Sequence, residues 1–252
     1  MINVILCGCC GRMGRAITEA IAGGEKFRIV AGVDITPSAM NADFPVYHSI
    51  SEFPDKADVI IDFSHHSVLP ALLEYAISTA TPIVVSTTGH SEEELAEMKA
   101  ASEKIPVFFS RNMSIGINLL IELSKKAAKT LGLDFDVEII EKHHNNKLDA
   151  PSGTALMLAE AISEERDTTE LVYDRHLKRA KRSSSEIGIH SVRGGTIVGE
   201  HEVIYAGNNE IISLSHTATS REVFATGALK AAEYLSKKKV GLFNMSDVIN
   251  DN

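Results

Sequence analysis

The 252-residue chain has no tryptophan, and aromatic residues make up only 6% of it. With 44% apolar residues it must build its core mainly from aliphatic side chains, as a soluble α/β protein ordinarily does. Cysteine is also scarce. The three that occur, Cys7, Cys9 and Cys10, crowd into one short stretch. That crowding is wrong for a disulfide framework and suits reduced thiols, so a cytoplasmic location is expected. No apolar run approaches the ~18 residues of a membrane span. MINVILCG has no basic leader and begins a strand pattern directly, so no signal peptide is expected. Positive charge is in deficit, with 25 Lys and Arg against 34 Asp and Glu and a net charge of −9. This argues against nucleic acid or a membrane surface as partner, and obliges any acidic ligand to find a local cluster of cations. The only strongly basic run, RHLKRAKR at 175–182, reads as a solvated loop face rather than a polyanion patch.

Neither internal repeats nor low-complexity segments are present, and the length allows one large domain or two moderate ones. The first 110 residues alternate apolar β-branched runs with helical patterns. INVILC (2–7), FRIVAGVD (27–34), ADVIIDF (57–63), PIVVS (82–86) and PVFFS (106–110) read as strands. The helices between them open at GRMGRAITEAIA, near 67–79, and near 91–103, where Ser91 and Glu94 form a capping box. Continuous apolar strands separated by helices predict a parallel sheet covered on both faces. After residue 113 the pattern changes. A helix is expected over 115–131, an alternating strand at DFDVEIIE, and three more strand patterns from 187 onwards, separated by Gly-Gly and Gly-Asn-Asn turns. Residues 221–239 are helical again. The expected architecture is a Rossmann-type doubly wound sheet over 1–113, completed by 221–252, and a second α+β domain over 114–220 with an open mixed or antiparallel sheet.

CGCCGRMG follows the first strand and opens the first helix. Small residues there let the backbone approach a pyrophosphate, and the helix N-terminus offers amides and a positive dipole end. The spacing is Gly8-x-x-Gly11-x-x-Gly14, with Cys10 where the usual fingerprint has its second glycine. Asp34 ends the second strand twenty positions after Gly14, where a carboxylate can accept hydrogen bonds from ribose hydroxyls. No Lys or Arg occurs between Asp34 and Lys56, so a 2′-phosphate would meet that carboxylate without a basic partner. NADH is expected to be preferred, with NADPH possible. No metal is expected at the cysteines, because zinc would need a further ligand set at suitable spacing.

Residues 141–155 read EKHHNNKLDAPSGTA. His143 and His144 lie at the C-terminal end of a predicted strand, where α/β enzymes place ligands. Being adjacent, they point in different directions. Lys147 can donate a proton nearby. Pro151 leads into a helix whose first turn, Ser152-Gly153-Thr154, offers amides and a hydroxyl to a carboxylate. The segment reads as a cationic pocket for an acidic small molecule with a proton donor built in. Adjacent histidines lack the i, i+4 spacing of a helical metal site. His65 and His66 read as loop and helix-start residues, and His190, His201 and His216 as partly buried strand residues.

This stretch resembles the E-x-H-H-x-x-K-x-D-A-P-S-G-T-A signature of the dihydrodipicolinate reductase family. GRMG, DFS (62–64), STTG (86–89), SRNMSIGIN (110–118) and RGGTIVGEHEV (193–203) agree with that family in the same order. The resemblance covers essentially the whole chain. It implies reduction of an unsaturated nitrogen heterocycle bearing two carboxylates, by hydride from NADH or NADPH. It places acid–base roles on His143 and Lys147, and substrate contacts on His144, Gly153 and Thr154. It implies a cofactor site at Gly8, Cys9, Cys10, Gly11, Arg12, Met13 and Asp34, with Ser86, Thr87, Thr88, Ser110, Arg111, Asn112 and Met113 on the nicotinamide side. The chain departs from the family at Ser86, where Gly is frequent, and at Arg111, where a small residue is usual. The resemblance further implies a homotetramer built through the second sheet. A dianionic substrate is expected to dock on nearby cations including Arg193, and the two domains to close about hinges near 113 and 220. A non-catalytic NADH sensor would not need Lys147. A dehydrogenase of another small acid should lack the complete signature, and a nucleic-acid-associated protein fits poorly with the negative charge.

Overall fold

A computed structural model describes residues 1–37, 41–166, 170–173, 175, 176 and 178–251. The chain forms two compact units, one of residues 1–115 and 221–252, the other of residues 116–220.

The first unit begins with β1 (Ile2–Cys7), α1 (Arg12–Ile21), β2 (Phe27–Val33) and β3 (Val46–Tyr47). It continues with β4 (Val59–Asp62), α2 (Leu69–Thr79), β5 (Ile83–Val85), α3 (Glu92–Ser102) and β6 (Pro106–Phe109). After the second unit the chain returns as α6 (Glu222–Leu235), β12 (Gly241–Phe243) and α7 (Met245–Asn250). The seven strands lie in the order β12-β6-β5-β4-β1-β2-β3, with every neighbouring pair parallel. Strand order reverses between β1 and β4, the switch point at which doubly wound sheets bind ligands. Central strands β4 and β5 are buried at every position, which is why they read as unbroken apolar runs. One face of the sheet packs Val4, Leu6, Ile61 and Val84 against the alanine-rich side of α6; the other packs Ile5, Ile60 and Val85 against α2 and α3. The Ser91–Glu94 capping box forms as expected, with both reciprocal hydrogen bonds present.

The second unit contains α4 (Ile115–Leu131, which starts at the boundary), β7 (Asp136–His143), α5 (Gly153–Ser163), β8 (Glu170–Val172), β9 (Glu186–Arg193), β10 (Gly199–Ala206) and β11 (Ile211–Ala218). Its sheet has the order β11-β10-β7-β9-β8. The β10 pairings with β11 and β7 are antiparallel, while β7–β9 and β8–β9 are parallel. The Gly194-Gly195 turn therefore does not close a hairpin between β9 and β10; β7 lies between them. Strand β7 alternates strictly between partly and fully buried positions. Its inward Val137 and Ile139 join Ile187, Ile189, Val203 and Tyr205 beneath α4 and α5. Short strands β3, β8 and β12, each of two or three residues, carry too little pattern to be read from sequence. Among the described residues, no helix is long and apolar enough to cross a membrane.

The basic run at 175–182, of which Leu177 lies outside the described residues, is tied into the fold. Arg175 pairs with Glu186, Lys178 with Glu170 at 2.9 Å, and Arg182 with Asp136 and Glu138 at 2.9 Å each.

Candidate active site

The parallel register of the first unit aligns Val33, Cys7, Asp62, Val85 and Phe109 in one row across five strands. The loops that leave this row carry the expected cofactor residues: Gly8 to Met13, Asp34, Ser86 to Thr88, and Ser110 to Met113. Gly8 has φ +75°, and a side chain there would stand 2.5 Å from the Phe63 carbonyl, so only glycine fits. A methyl group at Gly14 would overlap the Gly8 carbonyl and the Cys9 backbone, so its absence lets α1 close onto the loop. Both glycines therefore shape a tight backbone cradle at a helix N-terminus, as a pyrophosphate requires.

Asp34 follows β2 directly and is bound into this cradle. Its carboxylate accepts the Cys10 N–H at 3.0 Å, the Thr36 N–H at 3.0 Å and the Thr36 hydroxyl at 3.1 Å. Cys9 is fully buried in the core beneath the loop and Cys10 partly exposed, their sulfurs 3.9 Å apart. With an Asp34 oxygen the two sulfurs lie within 4.8 Å of one another, a grouping that sequence spacing did not reveal. Burial pushes the Cys9 thiol up to about 12 and raises that of Cys10 as well. Neutral thiols add no negative charge to the loop. Arg12 lies exposed at the start of α1.

Among the residues expected to line the nicotinamide, Thr87 donates its hydroxyl to Asp62 at 2.7 Å, and Asp62 also accepts from the Ser64 amide and hydroxyl. Burial raises the Asp62 carboxyl. Ser86 is buried, Thr88 exposed. Ser110 donates to the Asn112 carbonyl at 2.7 Å, Arg111 is exposed, and the Met113 side chain belongs to the core. Cys9 and Met113 can thus meet a ligand through backbone only. His65 caps a short 3-10 turn over His66–Val68, and His66 bonds Glu94 at 2.9 Å.

In the second unit, β7 delivers His143 to its last position, opposite Arg193 of β9. The loop beyond is braced by Gly194 N–H to the His143 carbonyl at 2.9 Å and Asn145 N–H to the Gly195 carbonyl at 3.2 Å. Lys147 N–H closes a turn onto the His144 carbonyl at 3.2 Å, and its ammonium meets Asp149 at 2.9 Å. Ser152, rather than lying within the first turn, is the N-cap of α5, accepting the Ala155 N–H at 3.2 Å. Gly153 and Thr154 open the helix, and Gly153 is exposed. His143, His144, Lys147, Gly153 and Thr154 thus belong to one short loop and helix start.

Sequence reasoning missed the support beneath them. Glu141 is wholly buried and binds His143 Nδ1 at 2.6 Å. It also receives Arg193 Nη1 at 2.8 Å, Arg193 Nη2 at 2.7 Å and the Ser152 N–H at 3.2 Å. The signal was present, since Glu141 is in phase with the inward Val137 and Ile139 of an alternating strand. Arg193, expected to face substrate carboxylates, instead commits its two terminal nitrogens to Glu141 and to the Val192 and Asp149 carbonyls. Ser152 also bonds His201 Nε2 at 3.0 Å, and the His201 ring stands 5.2 Å from that of His143. Burial drives Glu141 upward, but hydrogen bonds from Arg193, Ser191 and His143 bring it down to about 2. Burial lowers His143 against the opposing pull of Glu141. Burial, then the neighbouring His143, lowers His201 to about 3.

A doubly wound sheet with a glycine cradle and a ribose-type acid defines a dinucleotide-binding α/β protein of the oxidoreductase class. The chain belongs to the dihydrodipicolinate reductase family: residues 2–113 match the model of the "Dihydrodipicolinate reductase, N-terminus" and residues 116–249 that of the "Dihydrodipicolinate reductase, C-terminus". A 4-hydroxy-tetrahydrodipicolinate reductase of Caldanaerobacter subterraneus subsp. tengcongensis is 52% identical, the match covering 99% of this chain and 98% of that protein. A reductase of the same name from Clostridium tetani is 48% identical, with the same coverages. The solved dipicolinate-bound dihydrodipicolinate reductase of Paenisporosarcina sp. TG-14 superposes with TM-score 0.80 at 26% identity, over 97% of each chain.

Proposed function

We infer that the protein reduces 4-hydroxy-tetrahydrodipicolinate to tetrahydrodipicolinate in lysine and diaminopimelate biosynthesis, using NAD(P)H in the cytoplasm. The observation that carries this reading is the convergence of His143, His144, Lys147 and the α5 start on one loop, in a chain related over its whole length to reductases of that name. Residues 1–113 with 221–252 serve as the dinucleotide-binding domain, and 114–220 as the substrate-binding and oligomerisation domain of a homotetramer.

The glycine cradle suits a dinucleotide, because its backbone leaves no room for side chains at Gly8 and Gly14. In this reading the loop from Gly8 to Met13, with the Arg12 cation, holds the pyrophosphate, and Asp34 accepts the ribose hydroxyls. The absence of a basic neighbour to Asp34 favours NADH over NADPH. Ser86, Thr87, Thr88 and residues 110–113 flank the nicotinamide, Met113 through backbone alone. A bound dihydronicotinamide supplies the hydride.

The dicarboxylate heterocycle is held by the first turn of α5 at Gly153 and Thr154, together with His144 and the Lys147 ammonium. A helix N-terminus and nearby cations overcome the chain's net negative charge locally. Lys147 or His143 then provides the proton that completes reduction, a form of general acid catalysis worth roughly 10²–10⁴-fold. The deciding experiment follows dihydronicotinamide oxidation with the substrate generated in situ, for wild type and Lys147→Ala. Substrate-dependent turnover that collapses in the variant is expected. Nucleotide binding without turnover would instead favour a sensor or another acidic substrate.

A further inference from the structure

An ionised carboxylate is costly in a protein interior unless its lone pairs are used. Glu141 is fully buried on the inward face of β7, where its neighbours in phase are Val137 and Ile139. The alternation of the strand alone would place an aliphatic side chain there, so periodicity does not call for an acid. The hydrogen bonds it accepts come from three elements: His143 on its own strand, Arg193 and Ser191 on β9, and the N–H of Ser152, the N-cap residue of α5. Register across β7 and β9 sets His143 directly opposite Arg193, so the sheet itself aligns these groups around the carboxylate.

We propose that Glu141 is the positioning residue for His143: it holds the imidazole proton on Nδ1, presents a bare Nε2 lone pair as acceptor, and leaves Lys147 as the carrier of the transferred proton. The proposal rests on the reading of His143 and Lys147 as the acid–base pair. Arg193 offers only donors, so its two bonds keep Glu141 ionised, and an ionised carboxylate can only accept. The hydrogen at the 2.6 Å contact must therefore sit on His143 Nδ1. In a neutral ring with Nδ1–H, Nε2 has no proton to give.

The groups facing the ring decide whether it stays neutral. Glu141 favours the imidazolium; burial, Lys147 from the following loop and Arg193 from β9 oppose it. His201 of β10 stands edge-on at 5.2 Å and is itself held neutral. Gly199, at the start of β10, leaves Nε2 uncrowded, since a side chain there would come within 3.2 Å of it. Because Arg193 neutralises Glu141, the carboxylate sets the direction of the ring more than its basicity.

The test joins ¹⁵N-histidine NMR with kinetics of the full-length enzyme. Wild-type His143 should appear at neutral pH as one tautomer, protonated on Nδ1 alone. In Glu141→Gln an amide can meet Nδ1 with either end, so the tautomers should mix. Its kcat should fall roughly 10²-fold or more, as when an orienting carboxylate is removed from a catalytic imidazole. The acid limb of kcat should move to lower pH, because the group that raises His143 is gone, while KM for the dinucleotide stays unchanged. Glu141→Asp, which keeps the charge, should recover part of kcat. Wild-type His143 found protonated on Nε2 would overturn the proposal, as would a folded Glu141→Gln enzyme with full kcat. Should that variant fail to fold, the wild-type spectrum still decides. Absence of turnover by the wild type would overturn the assigned reaction, whereas the tautomer separately decides the role of Glu141.

Discussion

Lys147 and Gly8 show how differently single residues can matter in this chain. The Lys147 ammonium is partly exposed and held by Asp149 at 2.9 Å, so its removal leaves no cavity and strands no buried charge. Lys147→Met should therefore lower kcat by roughly 10²–10⁴-fold while leaving dinucleotide affinity, measured by fluorescence titration, unchanged. Full turnover in that variant would remove Lys147 from the mechanism. Gly8→Ala should do the opposite kind of damage. It places a methyl group against the Phe63 carbonyl in a left-handed backbone, at a cost on the order of 1–3 kcal/mol, and should weaken dinucleotide binding with no direct effect on the substrate loop. Calorimetric titration with NADH separates the two. Much of this was legible by residue type: the glycine spacing, Asp34, and the His-His-Lys stretch are chemically conspicuous. The burial of Glu141 was signalled only by its phase with Val137 and Ile139, and the role of either Glu141 or Ser152 became readable only with their partners from β9 and β10.

The elements β7 and α5 carry the candidate site between them, and both are fixed by the same carboxylate. Glu141 bonds the imidazole at the end of β7 and the N-cap amide of α5, so one carboxylate ties the strand end to the helix start. Ser152→Ala would remove the cap to Ala155 and the partner of His201 Nε2 together. A loss of about 1–3 kcal/mol is expected from chemical denaturation, more than a solvent-exposed cap would cost, because a buried imidazole nitrogen is left unsatisfied. Ser91→Ala, whose capping box lies at the surface, should cost about 1 kcal/mol. Helix boundaries and the capping box were readable from periodicity and start signals. The mixed pairing of the second sheet was not, since a Gly-Gly turn between two strand patterns suggests a hairpin, yet β7 occupies the place between β9 and β10. That insertion brings His143 and Arg193 into register.

At the scale of the whole molecule, acid stability and assembly are the accessible properties. His201 is buried and neutral, lowered to about 3 from its usual value near 6.5. The unfolded chain therefore binds a proton there that the folded chain does not. Its contribution to stability is fully present above about pH 6.5 and is lost as pH falls toward about 3. Thermal midpoints measured between pH 7 and pH 4 should decline, and His201→Asn should flatten that decline. Light scattering coupled to gel filtration should give four times the 27.3 kDa chain mass if the homotetramer forms. A monomer would remove the oligomerisation role from residues 114–220.

The sequence by itself determined the parallel sheet, the glycine cradle and the loop of cations, because periodicity, turn residues and chemical type act locally along the chain. Tertiary structure decided which acid would be buried, which arginine would be spent on it, and which face of each histidine would remain open. Those outcomes depend on strand order and register, which place residues some fifty positions apart, such as Glu141 and Arg193, within hydrogen-bonding distance. No local pattern encodes that contact, and the direction of His143 follows from it.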